Sequence, residues 1–85
     1  MSINILSQDG KKLVNYNNVA SLSIKYQSTS RSILPEWWEI IAMYPAVSSD
    51  ILYDTLAIFK TKEDCEKAFA ELTYEIYSEN AIIKL

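Results

Sequence analysis

The sequence predicts an α+β fold, in which an antiparallel β-meander of about five strands precedes one C-terminal amphipathic helix packed on one face of the sheet. Three observations carry this prediction. Asp9-Gly10 lies between two short apolar stretches, and polar and apolar residues alternate over 20–27. Apolar residues recur at helical spacing over 65–76. With 85 residues, 49% of them hydrophobic, we expect a single domain over 1–85.

The first element is a β-hairpin with strands over about 2–8 and 11–16. Asp9-Gly10 predicts a two-residue turn, because both central positions of such a turn need a positive φ that these residue types tolerate. Pairing across this turn places Ile5 opposite Val14. The next polar pair, Asn17-Asn18, predicts a second turn.

Three further strands follow the hairpin. Alternation over 20–27 indicates a strand with one face in water. Residues 36–44 predict the next strand, which Pro45 ends because proline has no N–H for the ladder. After a loop at 46–50, residues 52–59 predict another strand, and consecutive strands usually pair.

The helix begins at Thr61, whose hydroxyl can accept a hydrogen bond from an N–H of the first turn. Glu63 and Asp64 then place negative charge near the positive end of the helix dipole. Residues 78–80 end the helix, and 81–85 are apolar enough to form a short extra strand or a docked tail. The side chains that share its apolar face are Cys65, Ala68, Phe69, Leu72 and Ile76.

The charge balance argues against nucleic acid as a direct partner. The formal net charge is −3 and the pI is about 4.8. The lysines are scattered along the chain, and Arg31 is the only arginine. Nucleic-acid-binding proteins gather basic residues on one face to displace counterions from phosphate, and this pattern is missing here.

The sequence also lacks the usual parts of an active site. It contains no histidine, so the commonest general base and metal ligand is missing, and neither a Cys–His nor a Ser–His pair can form. One cysteine makes a structural zinc site implausible, and a single glycine excludes the glycine-rich phosphate loops. We therefore predict no catalytic residue, no metal site, no cofactor and no enzymatic activity.

The cellular compartment is predicted from the cysteine content and from the first residues of the sequence. Cys65 has no partner for an internal disulfide, which fits a reducing compartment. The first residues carry no basic flank and no long apolar run, which argues against a signal peptide and a membrane segment. We expect a cytoplasmic protein.

The candidate partner surface is aromatic. Trp37 and Trp38 are adjacent in a strand, so their rings are expected on opposite faces, and the strand at 37–44 is apolar on both. One helix covers only one face. Sheet curvature, the C-terminal tail or a loop covers the second face, or that face binds a partner or a second copy. The residues we propose for such a surface are Trp37, Trp38, Tyr44, Tyr74 and Tyr77.

Three other features have a structural and a functional interpretation. Cys65 is either a buried, inert thiol or a thiolate favoured by the first helical turns. The polar segment Ser28–Ser32 around Arg31 is either a plain connection or a site for an anion or phosphate. The glutamates of the outer helix face are either a solvated surface or a contact for a basic partner; they are Glu66, Glu71, Glu75 and Glu79.

The segment Ser7–Asn15, followed by Asn18-Val19, resembles the opening of a group of small uncharacterised proteins from Gram-positive bacteria, their phages and plasmids. Residues 38–42 and 61–68 are similar to the same group, so the resemblance covers about half of the chain. The group carries no catalytic motif. The resemblance implies a small accessory protein of a mobile element.

The sequence therefore leads to three functional hypotheses. The first is a non-enzymatic protein-interaction module, with a homodimer through the strand at 37–44 as one form of it. The second is an acidic inhibitor of a host enzyme or defence nuclease, which would use the glutamates of the helix. The third is a small-molecule sensor, which is disfavoured because 85 residues leave little room for a pocket beside a complete core.

Overall fold

The computed structural model describes residues 2–28, 36–45 and 52–85. The predicted loop at 46–50 and most of the predicted loop around Arg31 lie outside the described residues. The elements, in chain order, are β1 (Asn4–Leu6), β2 (Leu13–Asn15), a 3₁₀ turn (Tyr16–Asn18), β3 (Ser21–Gln27), β4 (Trp37–Met43), β5 (Tyr53–Phe59), α1 (Lys62–Tyr77) and β6 (Ile82–Lys84).

These elements confirm the predicted α+β class, with an antiparallel meander and one helix packed on a sheet. The described strands divide into two sheets, ordered β2-β1-β6 and β3-β4-β5. The division occurs after β2, where the Asn15 side chain accepts a hydrogen bond from the Asn17 N–H at 2.9 Å and starts the 3₁₀ turn. The chain therefore turns away from β1 before β3 begins, and among the described strands β3 pairs with β4 alone.

The hairpin has the predicted register but a wider turn. Ile5 lies opposite Val14, as predicted. The Ser7 N–H donates to the Lys12 carbonyl at 2.9 Å, so four residues separate the strands. Gly10 has a φ of 74°, whereas Asp9 does not have a positive φ. The predicted two-residue turn is wrong because Asp9 instead uses its carboxylate locally, accepting from the Ser7 hydroxyl at 2.6 Å.

The sheet β3-β4-β5 contains one β-bulge. Ile40 pairs with Ala57 and Ile41 pairs with Thr55, so Leu56 is an extra residue on β5. The bulge buries the Leu56 side chain to 1% exposure. The backbone carbonyl of Leu56 faces away from β4 and accepts a hydrogen bond from the Gln8 N–H at 2.8 Å. This bond holds the hairpin against the outer edge of β5.

The C-terminal segment forms the extra strand that the sequence allowed. β6 lies parallel to β1, with Ile83 beside Ile5, and both side chains are fully buried. Both belong to the same core cluster as Leu72 of α1 and Ile40 of β4. The tail therefore covers the helix side of the sheet, and it does not cover the second face of β4.

The helix has the start and the end that the sequence predicts, and the residues of its predicted apolar stripe, Cys65, Ala68, Phe69, Leu72 and Ile76, lie toward the core. The Thr61 hydroxyl accepts the Asp64 N–H at 3.2 Å. Cys65 and Leu72 are fully buried, and the other members of the predicted stripe are partly buried against the core. Glu79, at a φ of 59°, ends the helix after Ser78.

The cap at Thr61 gives the first testable prediction. Thr61→Ala is expected to lower the free energy of unfolding by about 1 kcal/mol, because the N–H of Asp64 loses its acceptor. Thr73→Ala is the matched control, since Thr73 is an exposed helical residue whose hydroxyl donates to its own helix, to the Ala70 carbonyl. Urea denaturation measures both. Equal losses for the two variants would contradict the capping role.

Candidate functional site

The outer edge of β3 is open over the residues that the structure describes. In the sheet β3-β4-β5, the opposite edge, along β5, is occupied by Gln8 through the backbone contact to Leu56 and a side-chain contact to the Ile58 N–H at 3.1 Å. No described strand or side chain pairs with β3 in this way. An unpaired strand edge is a template for another strand.

Two hydrogen bonds show which backbone groups of β3 face outward. The Tyr44 N–H donates to the Leu52 carbonyl, so the backbone groups of Tyr44 point toward β5. The Met43 carbonyl accepts from the Ala20 N–H, so the backbone groups of Met43 point toward β3. Facing pairs in an antiparallel ladder alternate along each strand. The odd-numbered residues of β3 therefore face β4. The N–H and carbonyl groups of Leu22, Ile24 and Tyr26 face the open edge.

An apolar groove of about 950 Å³ runs between this edge and α1. Its floor is formed by Ile24, Trp38 and Phe69, and its helix wall includes the small residue Ala70. A second cavity of about 360 Å³, lined in part by Leu22, continues it along β3 and shares Phe69 with it. We call the two together the β3–α1 groove.

The charged residues that line the β3–α1 groove are paired with each other, and the Glu36 carboxylate lies beside its rim, where it accepts a hydrogen bond from the Tyr26 hydroxyl at 2.5 Å. Lys62 and Glu66 face each other across one helical turn, with Nζ and Oε1 3.8 Å apart, and both are well exposed. Tyr26 is 52% exposed, and its ring tilts against Trp38 with the centroids 5.4 Å apart. Apolar, uncharged side chains suit a groove with this floor and this rim.

The structure separates the five residues that the sequence proposed for a partner surface. Trp38 lies on the groove floor, and Tyr77, which is 87% exposed, lines its smaller end. Tyr74 is 71% exposed on another side of α1, beside Glu71. Trp37 lies on the opposite face of β4 from Trp38, as predicted, and Tyr44 lies at the edge of the core.

The second face of β4 is organised around a carboxylate. Glu39 is 7% exposed, and it accepts hydrogen bonds from the Trp37 indole N–H at 2.7 Å and from the Thr55 hydroxyl at 2.9 Å. Lys25 is its neighbour in register on β3. The polar residues in the middle of this face make it less suited to an apolar partner than the β3–α1 groove.

Tyr44 connects the hairpin to the larger sheet. Its hydroxyl donates to Asp54 at 2.7 Å, and Asp54 also accepts from the Lys12 ammonium at 3.2 Å. Burial, together with the bond to Asp54 and its negative charge, raises the pKa of Tyr44 to about 12. The same hydrogen bond, aided by Lys12, lowers the pKa of Asp54. Tyr44 thus has a structural partner within its own chain.

The Cys65 thiol is buried in the core. Burial raises its pKa, with a smaller contribution from the nearby carboxylate of Glu66. The neutral thiol is therefore the stable form, and the thiolate interpretation fails at this position.

Neither a metal site nor a spanning helix is found in the described part of the chain. Over 2–28, 36–45 and 52–85, no three or more carboxylate or thiol side chains come together as a metal-binding group. Within the same residues, the helix is too short and too polar to cross a membrane. The chain matches no family model, no curated protein and no solved structure.

The pKa of Tyr44 gives a prediction at high pH. A raised pKa means that the folded state holds this proton more tightly, so the stabilisation is complete below pH 10.0 and is lost as the pH rises toward about 12. Tyr44→Phe is expected to show a smaller fall in stability over this range. Tyr77→Phe, which removes an exposed hydroxyl, is the control and should follow the wild type. Urea denaturation at each pH measures this, and identical slopes for Tyr44→Phe and wild type would contradict it.

Proposed function

We propose that this chain is a non-enzymatic, cytoplasmic protein-interaction module that binds an extended segment as an added strand along β3. The observation that carries the proposal is the open edge of β3 lying directly beside an apolar groove of about 950 Å³. The resemblance to proteins of Gram-positive bacteria and their phages favours an accessory protein of a mobile element as its setting.

Strand addition uses both parts of this site. The outward N–H and carbonyl groups of Leu22, Ile24 and Tyr26 offer hydrogen bonds at every second residue, which supply affinity for any extended backbone. The side chains on one face of the added strand enter the β3–α1 groove, and the groove supplies selectivity. An apolar groove without this edge would favour a helix or a small molecule instead.

The chemistry of the partner segment follows from the two faces of β3. On the groove side, the added strand meets Ile24 and Phe69, which favours apolar side chains at alternate positions. On the other side it lies beside Ser23 and Lys25, which favours polar or acidic side chains. The expected partner segment therefore alternates apolar and polar residues.

The other hypotheses have less support. The acidic-inhibitor hypothesis uses four glutamates, of which Glu66 is paired with Lys62 and Glu75 is partly buried, so only Glu71 and Glu79 are left exposed for it. A small molecule in the groove would leave the outward backbone groups of β3 unused. A dimer through the strand at 37–44 could use only a face of β4, since β3 and β5 occupy both of its edges.

Peptide selection tests the proposal. A phage-displayed library of random peptides is selected on the immobilised protein, and synthetic versions of the enriched peptides are titrated by calorimetry. The enriched peptides should alternate apolar and polar residues. Ala70→Arg fills the groove from an exposed helical position and should weaken binding by about tenfold or more. Ala81→Arg makes the same change at an exposed position outside the groove and should bind like the wild type.

Backbone methylation separates strand addition from groove binding alone. The chain is short enough for synthesis in two pieces joined at Cys65. N-methylation of the Ile24 amide removes one outward donor and should abolish peptide binding. The Leu13 amide is the matched control. The backbone carbonyl of the neighbouring Lys12 bonds to Ser7 and therefore points toward β1. Because backbone groups alternate in direction along a strand, the Leu13 N–H points away from β1, to the outer side of β2. Equal binding by both methylated chains would overturn the proposal.

The two tryptophans report on the same event. Trp38 lies on the groove floor and Trp37 lies on the opposite face of the sheet. Bound peptide should therefore change the fluorescence of Trp37→Phe, which retains Trp38, and should leave that of Trp38→Phe nearly constant. The reverse pattern would place the ligand on the face of Glu39.

A further inference from the structure

We propose that the strand added along β3 is β3 of a second copy of this chain, so that two copies form a symmetric dimer with a six-stranded antiparallel sheet. The inference rests on the proposed function, because it uses the same edge and the same groove. What identifies the occupant is the self-complementarity of β3 in its hydrogen bonds, its charges and its side-chain shapes.

The outward backbone groups are arranged symmetrically about Ile24. With a twofold axis at Ile24, that residue faces its own counterpart, and Leu22 faces the Tyr26 of the other copy. In all three facing pairs, the outward N–H and carbonyl groups of one copy then meet those of the other copy, as a hydrogen-bonded antiparallel pair requires. The whole of Ser21–Gln27 takes part in the pairing.

The charges favour this register over its neighbours. With the axis at Ile24, each Lys25 faces a Ser23, and each Ser21 faces a Gln27, so no like charges lie opposite each other. Moving the axis by one residue to Lys25 places the two lysines directly opposite, which is destabilising. Moving it the other way, to Ser23, leaves Tyr26 and Gln27 beyond the end of the partner strand.

Side-chain shape supplies the third argument. Tyr26 is 52% exposed on the groove side of β3. In the dimer it would lie against the Leu22 of the other copy, at the mouth of the cavity of about 360 Å³ that Leu22 lines together with Phe69 and Tyr77. Each copy would fill a cavity of the other, and exposed aromatic surface at Tyr26 and Tyr77 would become buried.

The contact area sets the expected strength. One strand pair with one aromatic contact on each side is smaller than a standard interface of about 800 Å² per partner, so we expect dissociation constants on the order of micromolar. Sedimentation equilibrium from low to high micromolar concentration should show a mass rising from 9.7 kDa toward twice that value. Ala70→Arg should remain at 9.7 kDa, and Ala81→Arg should behave like the wild type.

Cysteine cross-linking tests the register. Ser23→Cys and Lys25→Cys are made separately, with the buried Cys65 left in place. Under mild oxidation a mixture of the two variants should form a disulfide between positions 23 and 25, because facing residues of this kind lie about 4.5 Å apart at Cα. Each variant alone should stay largely uncross-linked. A disulfide that forms readily in Lys25→Cys alone, or in Ser23→Cys alone, would overturn the Ile24 axis.

The outcome also separates this inference from the proposed function. A chain that remains at 9.7 kDa at high micromolar concentration but binds the selected peptides would overturn the dimer and support the proposed function. A chain that neither dimerises nor binds a peptide would overturn both. A dimer that persists in the Ile24 N-methylated chain would show that the copies meet at another surface, and would also overturn the inference.

Discussion

The fold depends on how one face of the sheet β3-β4-β5 is shared. Leu72 of α1 and Ile83 of β6 are both fully buried, and they belong to the same core cluster as Ile40 of the central strand. The helix and the small sheet therefore cover a single face side by side. Because the hairpin also reaches the edge of β5 through Gln8, the β5 edge is occupied, whereas the β3 edge is left open by every residue that the structure describes.

Most local structure could be predicted from the sequence because it is encoded locally. The helix has its cap, its stripe and its end within 61–79, and the register of Ile5 with Val14 follows from a turn only a few residues away. The turn type was missed because Asp9 forms hydrogen bonds to its neighbours that stabilise a wider loop. Short-range patterns specify where a strand lies better than they specify the backbone of its turn.

The arrangement of the strands could not be predicted, because it depends on distant contacts. The partner of β6 is the first strand of the chain, and the bulge at Leu56 is matched to Gln8 in the hairpin. Alternation over 20–27 showed that β3 has two different faces, but it does not reveal that this strand lies at an edge. The alternation therefore does not distinguish Ile24 and Tyr26 from other strand residues, although they line the main groove.

The aromatic residues illustrate the same limit. The sequence correctly placed Trp37 and Trp38 on opposite faces, since side chains alternate along a strand. It could not decide which of the two faces a groove, because that depends on where the helix leaves the sheet uncovered. Tyr44 is among the residues proposed for a partner surface, yet its hydroxyl is held by Asp54 within the chain. Composition identifies residues suited to contacts, whereas packing decides which of them are free.

The parallel pairing of β1 with β6 has a consequence for biosynthesis. Ile83 is synthesised only after Ile5 and all the residues between them. The core cluster to which both belong cannot close before Ile83 has left the ribosome, so the apolar side chains of the intervening elements stay accessible to chaperones while this stretch is made. The interior of the fold is therefore completed only once β6 has been synthesised.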